Sequence, residues 1–199
     1  ASAAEPVDAW AEAIAGAADR IAALATRAAA APVPAERGWE RVMELVRLER
    51  FEEALAGLAA LPAEAARTRE ALLLRAAILT NAGRLEEAER ACNEAIARDD
   101  LDPGAPYLLA LAREHAGDAT AARRHDEAAL YLDPDFAMPH LHLGLMARRQ
   151  GDLAAARAAF ARALALVPGE PAARLELFGG GFTRDALMAL CRAQLGGVS

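Results

Sequence analysis

The sequence predicts an all-α solenoid made of helix–turn–helix repeats, and three observations carry this prediction. A glycine recurs every 34 residues, at Gly83, Gly117 and Gly151, where it can end a helix in a left-handed conformation. An alanine recurs with the same period, at Ala54, Ala88, Ala122 and Ala156. The segments between these landmarks place apolar residues at the three- and four-residue spacing of a buried helix face.

The clearest repeat runs from Ala137 to Pro168. Gly151 ends its first helix, and Asp152 can accept from the free N–H groups of the second, which is worth about 1 kcal/mol. Its landmarks, in order, are Leu143, Gly144, Ala156, Phe160, Ala163 and Pro168. This stretch closely resembles the tetratricopeptide repeat (TPR) family. The resemblance implies a right-handed superhelical arc whose first helices line a concave surface that holds another polypeptide.

The repeats divide the chain into three parts. We expect an N-terminal linker or capping helix within residues 1–37, four TPR-like repeats over 38–168 and C-terminal capping helices over 169–199. Residues 6–30 carry a narrow apolar stripe, which favours a capping helix on the first repeat or a coiled connection to an upstream domain. The last helix, after the break at Gly179–Gly181, should cap the fourth repeat, because a solenoid otherwise exposes its final apolar face.

Two repeats depart from the pattern. The first lacks the turn glycine, and atypical end repeats are common in solenoids. The third carries Arg113 and Asp126 on faces that its neighbours fill with small or apolar residues. A lone buried charge is costly, so we expect these side chains to pair or each to find another charged partner nearby. The alternative is a tilted third repeat in which both groups face water.

Charge and composition argue against several classes of partner. The 22 basic residues, all arginine, and the 29 acidic residues give a net charge of −7 without a basic stripe, which disfavours nucleic acid. No uncharged apolar run reaches the roughly 18 residues of a membrane span. Cys92 and Cys191 lie far apart on apolar faces, which is typical of reduced thiols in a cytoplasmic protein. The alanine and arginine bias indicates a bacterial source.

We expect no catalytic centre, metal site or cofactor in this chain. The consecutive glycines Gly179–Gly181 lack the spacing of a nucleotide-binding loop. His140 and His142 point about 160° apart on a helix, so they cannot share a metal without help from another repeat. No Ser/His/Asp or Cys/His set has a supporting motif.

The TPR resemblance places two columns of side chains on the concave surface. The first is Trp39, Leu73, Tyr107, Leu141 and Leu175; the second is Met43, Ala77, Leu111 and Leu145; and Asn81, Glu114, His142 and Arg148 border them. A contiguous apolar strip of this kind marks a binding site, and the alternative is ordinary packing between helices. We predict that four of these side chains are open in the monomer: Tyr107, Leu111, Leu141 and Leu145.

The expected occupant is an amphipathic helix or an apolar extended segment, from a protein partner or a second copy of the chain. Some TPR proteins bind the C-terminal carboxylate of a chaperone through Lys, Asn and Arg in these columns. The matching positions here are apolar, so that mode of binding is disfavoured.

The C-terminal tail, residues 175–195, resembles the end of bacterial chemoreceptor methyltransferases that carry a C-terminal TPR domain. That resemblance implies chemotaxis signalling and an S-adenosylmethionine-dependent protein-glutamate methyltransferase whose methyl-donor site lies upstream of Ala1. The chain would be its regulatory or docking part, with a chemoreceptor or its own methyltransferase domain as partner. The alternative is a free-standing TPR assembly scaffold with no enzyme attached.

Overall fold

The computed structural model describes residues 35–197, and over that range the chain forms eleven α-helices and no strand. The helices are α1 (Ala35–Arg47), α2 (Phe51–Ala59), α3 (Ala63–Ala66), α4 (Arg69–Asn81), α5 (Leu85–Arg98), α6 (Gly104–His115), α7 (Ala119–Leu132), α8 (Ala137–Arg149), α9 (Leu153–Leu166), α10 (Ala172–Phe178) and α11 (Arg184–Gly197). The helix expected within residues 6–30 lies outside the described residues, and the boundaries of the three parts stay predictions. No helix between residues 35 and 197 is both long and apolar enough to cross a membrane.

Four helix pairs repeat along the chain: α1 with α2, α4 with α5, α6 with α7 and α8 with α9. The last three pairs turn at a glycine with positive φ, 73° at Gly83, 83° at Gly117 and 80° at Gly151. Glu49 takes the same left-handed conformation in the first pair, with a φ of 56°. The turn therefore keeps the same shape in the first pair, where the glycine is missing. The predicted helix–turn–helix solenoid is confirmed.

Side-chain caps fix the start of the second helix in the later repeats. Asp118 accepts from the N–H of Ala121 at 2.9 Å, and Asp152 accepts from the N–H of Ala155 at 2.9 Å. Each cap satisfies a donor that the helix itself leaves free. The glycine ends one helix and the aspartate begins the next, so the connection needs only a few residues.

Small side chains let the paired helices approach closely. The recurring alanines of the second helices are fully buried: Ala54, Ala88, Ala122 and Ala156. In the fourth repeat Gly144 faces the ring of Phe160, and a Cβ added to it would lie 2.7 Å from two ring carbons. The apolar core runs from repeat to repeat and has no single centre.

The two C-terminal helices go to different places. Helix α11 packs against α9 and buries Leu187 and Cys191, which is the position predicted for an end cap. Helix α10 packs against α4, the first helix of the second repeat. A fifth first helix in the regular stack would not reach the second repeat, so α10 leaves the stack.

Candidate functional site

The candidate site is the surface formed by the first helices α1, α4, α6 and α8, which we call the groove face. Of the predicted first column, Leu73, Tyr107 and Leu141 are buried on this face, Trp39 is half-buried on it, and Leu175 is buried on α10. Its second column is buried at Met43 and half-buried at Ala77, Leu111 and Leu145. The groove face therefore has a covered part, in the first column, and a half-open part, in the second.

The aromatic residue that ends α10 lies on the groove face. The ring of Phe178 packs edge-on against Tyr107, with centroids 5.8 Å apart, and against Phe136, with centroids 5.3 Å apart. Tyr107 and Phe136 also meet edge-on at 5.3 Å. Such pairs contribute about 0.5–1.5 kcal/mol beyond the area that they bury. Gly104 makes room for this contact, because a Cβ there would overlap the Phe178 ring.

The other side chains of α10 reach the first and second repeats. Leu177 lines a cleft of about 640 Å³ together with Trp39. Glu176 forms an ion pair with Arg47 at the end of α1. Leu175 is buried within the apolar cluster of the groove face. Helix α10 thus presents two leucines, a phenylalanine and one carboxylate to the first helices of the repeats.

The chain is fixed immediately before α10, at Glu170, and in the first turn of α10, at Arg174. The buried carboxylate of Glu170 accepts from the N–H of Ala137, at the start of α8, at 2.8 Å. Arg174 donates to Glu170 at 3.1 Å and to Asp133 at 2.7 Å. Its guanidinium also lies 4.7 Å from the centroid of the Phe136 ring, a cation–π distance. These contacts tie the start of α10 to the fourth repeat.

A second anchor follows α10. Arg184, the first residue of α11, donates to the carbonyl oxygens of Pro168 at 2.8 Å and Glu170 at 2.7 Å. Between the two anchors, Gly180 and Gly181 turn the chain with φ values of 61° and 81°. Both ends of the α10 segment are therefore held at one place, and the segment crosses the groove face as a strap.

The predicted open strip is wrong for two of its four residues. Tyr107 is 6% exposed and Leu141 is 7% exposed, so the chain's own helices already bury them. Leu111 and Leu145 are half-buried. The 34-residue period places Leu175 in one column with Tyr107, but Leu175 belongs to the covering helix and does not line the groove.

The polar border is only partly where the sequence places it. Asn81 and Arg148 are exposed, and the guanidinium of Arg148 bonds the side chain of Gln194 in α11. His142 is 4% exposed and lies in the interior, where its two ring nitrogens face Asp126 at 2.7 Å and Glu114 at 2.8 Å.

The unusual charges of the third repeat each have an ionisable partner, although not each other. Arg113 donates to Glu89 of the second repeat at 2.8 Å. Asp126 bonds His142 of the fourth repeat, and Glu114 also pairs with Arg149 there. A direct Arg113–Asp126 pair is therefore wrong. The second predicted outcome, a separate charged partner, is confirmed for Arg113, whereas the partner of Asp126 is a histidine. These contacts link neighbouring repeats.

Burial changes the acidity of several groups in this region. Desolvation raises the pKa of Asp126 from 3.8 to about 6, although the bond from His142 opposes the change. The second oxygen of that carboxylate has no hydrogen-bond partner among the described residues. Burial raises the pKa of the Tyr107 phenol, and it raises that of the Cys92 thiol to about 12, which makes this thiol unreactive. Within residues 35–197 no group of three or more His, Cys, Asp or Glu side chains is placed to hold a metal ion.

The sequence reasoning missed Phe136 and Phe178, which cover Tyr107. The 34-residue period contained a signal that Phe178 is unusual. It occupies the position of Ala76, Ala110 and Gly144 in the earlier repeats, where only a small side chain lets two helices approach. A large ring at this position is incompatible with a regular fifth repeat and needs another surface to pack on.

Comparison of the sequence with known proteins gives a partial match. No family model matches the chain. It is 37% identical over 86 residues to a protein described as "Probable biofilm formation methyltransferase WspC" from Pseudomonas putida, a match that covers 43% of this chain and 20% of that protein. The chain thus spans about a fifth of the length of this relative.

Two solved structures have a similar fold. PcrH from Pseudomonas aeruginosa, in complex with the chaperone binding region of PopD, matches with a TM-score of 0.50 and 22% identity over 60% of this chain and 82% of that chain. SycD, the type III secretion translocator chaperone of Yersinia enterocolitica, matches with a TM-score of 0.53 and 17% identity over 73% of this chain and 90% of that chain. The described residues therefore have the fold of TPR-like helical-repeat proteins.

Proposed function

We propose that this chain is a protein-interaction module whose groove face binds an apolar helix or peptide. The observation that carries the proposal is the seating of α10 on that face. A seven-residue helix is bound there through Phe178 and Leu175 with one peripheral ion pair. A surface that accommodates a helix of its own chain has the shape and the apolar character to accommodate one from a partner.

The first contacts of a partner are made with the half-open part of the groove face. Ala77, Leu111 and Leu145 remain half-buried, with Asn81 and Arg148 exposed beside them. Large apolar groups bordered by polar ones are typical of a protein-binding surface. Because association and ordering offset most of the gain from burying apolar area, micromolar affinity is the expected range.

We further propose that the module docks or restrains a chemotaxis-type receptor methyltransferase in the cytoplasm. The similarity to WspC from P. putida and the tail over residues 175–195 support this context. S-adenosylmethionine chemistry would then belong to a separate domain. The partner would be a chemoreceptor or the methyltransferase domain itself.

A free-standing scaffold is the second candidate. Its support is the likeness to PcrH in complex with the chaperone binding region of PopD and to SycD, a type III secretion translocator chaperone. The gene separates the two candidates, since an upstream methyl-donor domain favours docking and a start codon adjacent to Ala1 favours the scaffold.

A binding measurement tests the proposed function. The full chain is titrated with the methyltransferase domain encoded by its own gene and with the cytoplasmic part of a chemoreceptor from the same organism. We expect one of them to bind, and the double variant Leu111→Glu, Leu145→Glu to weaken that binding at least tenfold. Leu101→Glu is the matched control, because Leu101 is 72% exposed in a connection between α5 and α6.

Equal binding by the wild type and the groove variant would contradict the groove as the site. Absence of binding to both proteins would contradict the docking role. Circular dichroism of each variant shows whether the helical fold is retained.

A further inference from the structure

We infer that α10 is a displaceable occupant of the groove face, and that the partner presents a helix of the same chemistry. This helix carries a leucine, an acidic residue immediately after it and an aromatic residue three positions after the leucine. The inference rests on the proposed function, since it specifies the occupant and the regulation of that same site.

The chemistry of the partner helix follows from what α10 places on the groove face. Leu175 and Phe178 are separated by one helical turn and are both buried. The Phe178 ring meets Tyr107 edge-on, an arrangement that a flexible aliphatic side chain cannot reproduce. Glu176 pairs with Arg47, which sets an acidic residue beside the leucine. An acidic residue at this place also orients the bound helix along the face.

The contacts that fix the chain on either side of α10 do not depend on α10, whereas those of Arg174 with Asp133 and Glu170 belong to the helix itself. Glu170 is bound to the N–H of Ala137, and Arg184 is bound to the carbonyl oxygens of Pro168 and Glu170. Helix α11 is bound to α9 through Leu187. If α10 leaves the groove face, all of these contacts can persist. The cost of opening is therefore restricted to the contacts of one short helix.

The structure of the strap also favours opening. A seven-residue helix is unstable alone in water, so α10 depends on the groove face for its conformation. Gly180 and Gly181, in left-handed conformations, can move through wide ranges of φ and ψ. Short segments of this kind open locally well below the free energy of global unfolding.

Exchange of α10 between two copies of the chain fits the geometry less well. Its two anchors, Glu170 and Arg184, lie at the same place, on α8 and on the turn after α9, and only Pro171 and residues 179–183 lie between them and the helix. A segment anchored at both ends is too short to reach a second molecule unless one of its anchors is lost. The occupant that we infer is therefore a partner helix.

The test uses a labelled peptide that copies residues 170–182 and the full chain in two forms. The disarmed form carries Leu175→Ser and Phe178→Ser, which remove the apolar anchors of α10 and leave the groove face intact. Fluorescence anisotropy measures the affinity of the peptide for each form. We expect at least tenfold tighter binding to the disarmed chain than to the wild type, because the closed strap reduces the fraction of chains that can bind.

Two matched controls accompany this test. A peptide with the same two serines should not bind either form. A chain with Leu101→Ser, which changes an exposed leucine away from α10, should bind the native peptide as weakly as the wild type does. Sedimentation velocity shows whether each form is a monomer, and dimers formed through α10 would contradict the partner-helix inference.

The outcomes separate this inference from the proposed function. Equal binding of the native peptide by both forms would contradict the displacement of α10, but it would leave the groove face as a binding site. No binding by either form would contradict the inferred chemistry, while the titrations with the methyltransferase domain and the receptor still test the proposed function.

Hydrogen–deuterium exchange of the wild-type chain decides the question if the disarmed chain does not fold. We expect the amides of α10 to exchange at least tenfold faster than those of α9 and α11, and excess peptide to increase exchange in α10 alone. Equal protection of the three helices, unaffected by peptide, would overturn the inference.

Discussion

Glu49 shows how a single residue can keep the shape of a repeat without its usual side chain. It has a φ of 56°, close to the conformation of Gly83, Gly117 and Gly151 one, two and three periods later. A left-handed conformation disfavours any residue with a Cβ by roughly 1–2 kcal/mol. The packing of α1 against α2 holds Glu49 in it.

Replacement of Glu49 by glycine should therefore stabilise the chain. Relief of the strain exceeds the additional entropy of a glycine in the unfolded chain, and we expect a gain of about 1 kcal/mol in the free energy of unfolding. Urea denaturation measures this change. Gly83→Ala, at a φ of 73° with no neighbouring atom near the added Cβ, is the matched control and should lose a similar amount. A stability loss in Glu49→Gly would contradict the strain.

Asp126 is the other residue whose environment has a measurable consequence. It is fully buried, and its one hydrogen-bonded oxygen faces His142. The other ring nitrogen of His142 faces Glu114, so this one ring lies between two carboxylates of the third repeat. The cluster joins the third repeat to the fourth through charge as well as apolar packing.

The raised pKa of Asp126 predicts a pH dependence of stability. The folded chain holds a proton on this group up to about pH 6, whereas the unfolded chain loses it near 3.8. The contribution of Asp126 to the free energy of unfolding therefore decreases as the pH rises through this window, by an amount on the order of 1–3 kcal/mol.

Asp126→Asn should remove this part of the pH dependence. Denaturation of the variant and the wild type between pH 4 and pH 7 gives the difference, and the variant should gain stability relative to the wild type as the pH rises. Glu86→Gln, at an exposed position of α5, is the control. A constant difference across the window would contradict burial as the cause of the raised pKa.

At the scale of a helix pair, the contact of Gly144 with Phe160 sets the distance between α8 and α9. A Cβ at Gly144 would lie 2.7 Å from two atoms of a fully buried ring. We expect Gly144→Ala to destabilise the chain by about 1–3 kcal/mol, since the ring has no space to move into. Thermal and urea denaturation measure this loss. Gly196→Ala, near the end of α11 with open space around it, should change stability little.

The sequence predicted the helix pairs better than the placement of α10. Local features determine the pairs, since a glycine, a capping aspartate and a buried alanine recur within each repeat. The course of α10 depends on contacts such as Glu176 with Arg47, which are 129 residues apart in the chain. The period alone cannot predict these contacts, although Phe178 stands in a column of small residues that a regular fifth repeat would need to keep small.

Over the described residues, this placement brings a C-terminal helix of the solenoid back against its first two repeats. Most contacts of a repeat protein lie between neighbours. Here α11 continues the stack by covering α9, while α10 connects the end of the chain to α4 and α1. With α10 in place, the half-open part of the groove face lies at Leu111 and Leu145.

The contacts of the Phe178 ring test the central claim, that α10 covers the groove face of the free chain, most directly. Nuclear Overhauser spectra of the wild-type chain should show cross-peaks between the ring protons of Phe178 and those of Tyr107 and Phe136, whose centroids lie 5.8 Å and 5.3 Å away. A Phe178→Leu variant assigns these peaks by their loss. Absence of the peaks in the wild type, with random-coil shifts for α10, would contradict the account.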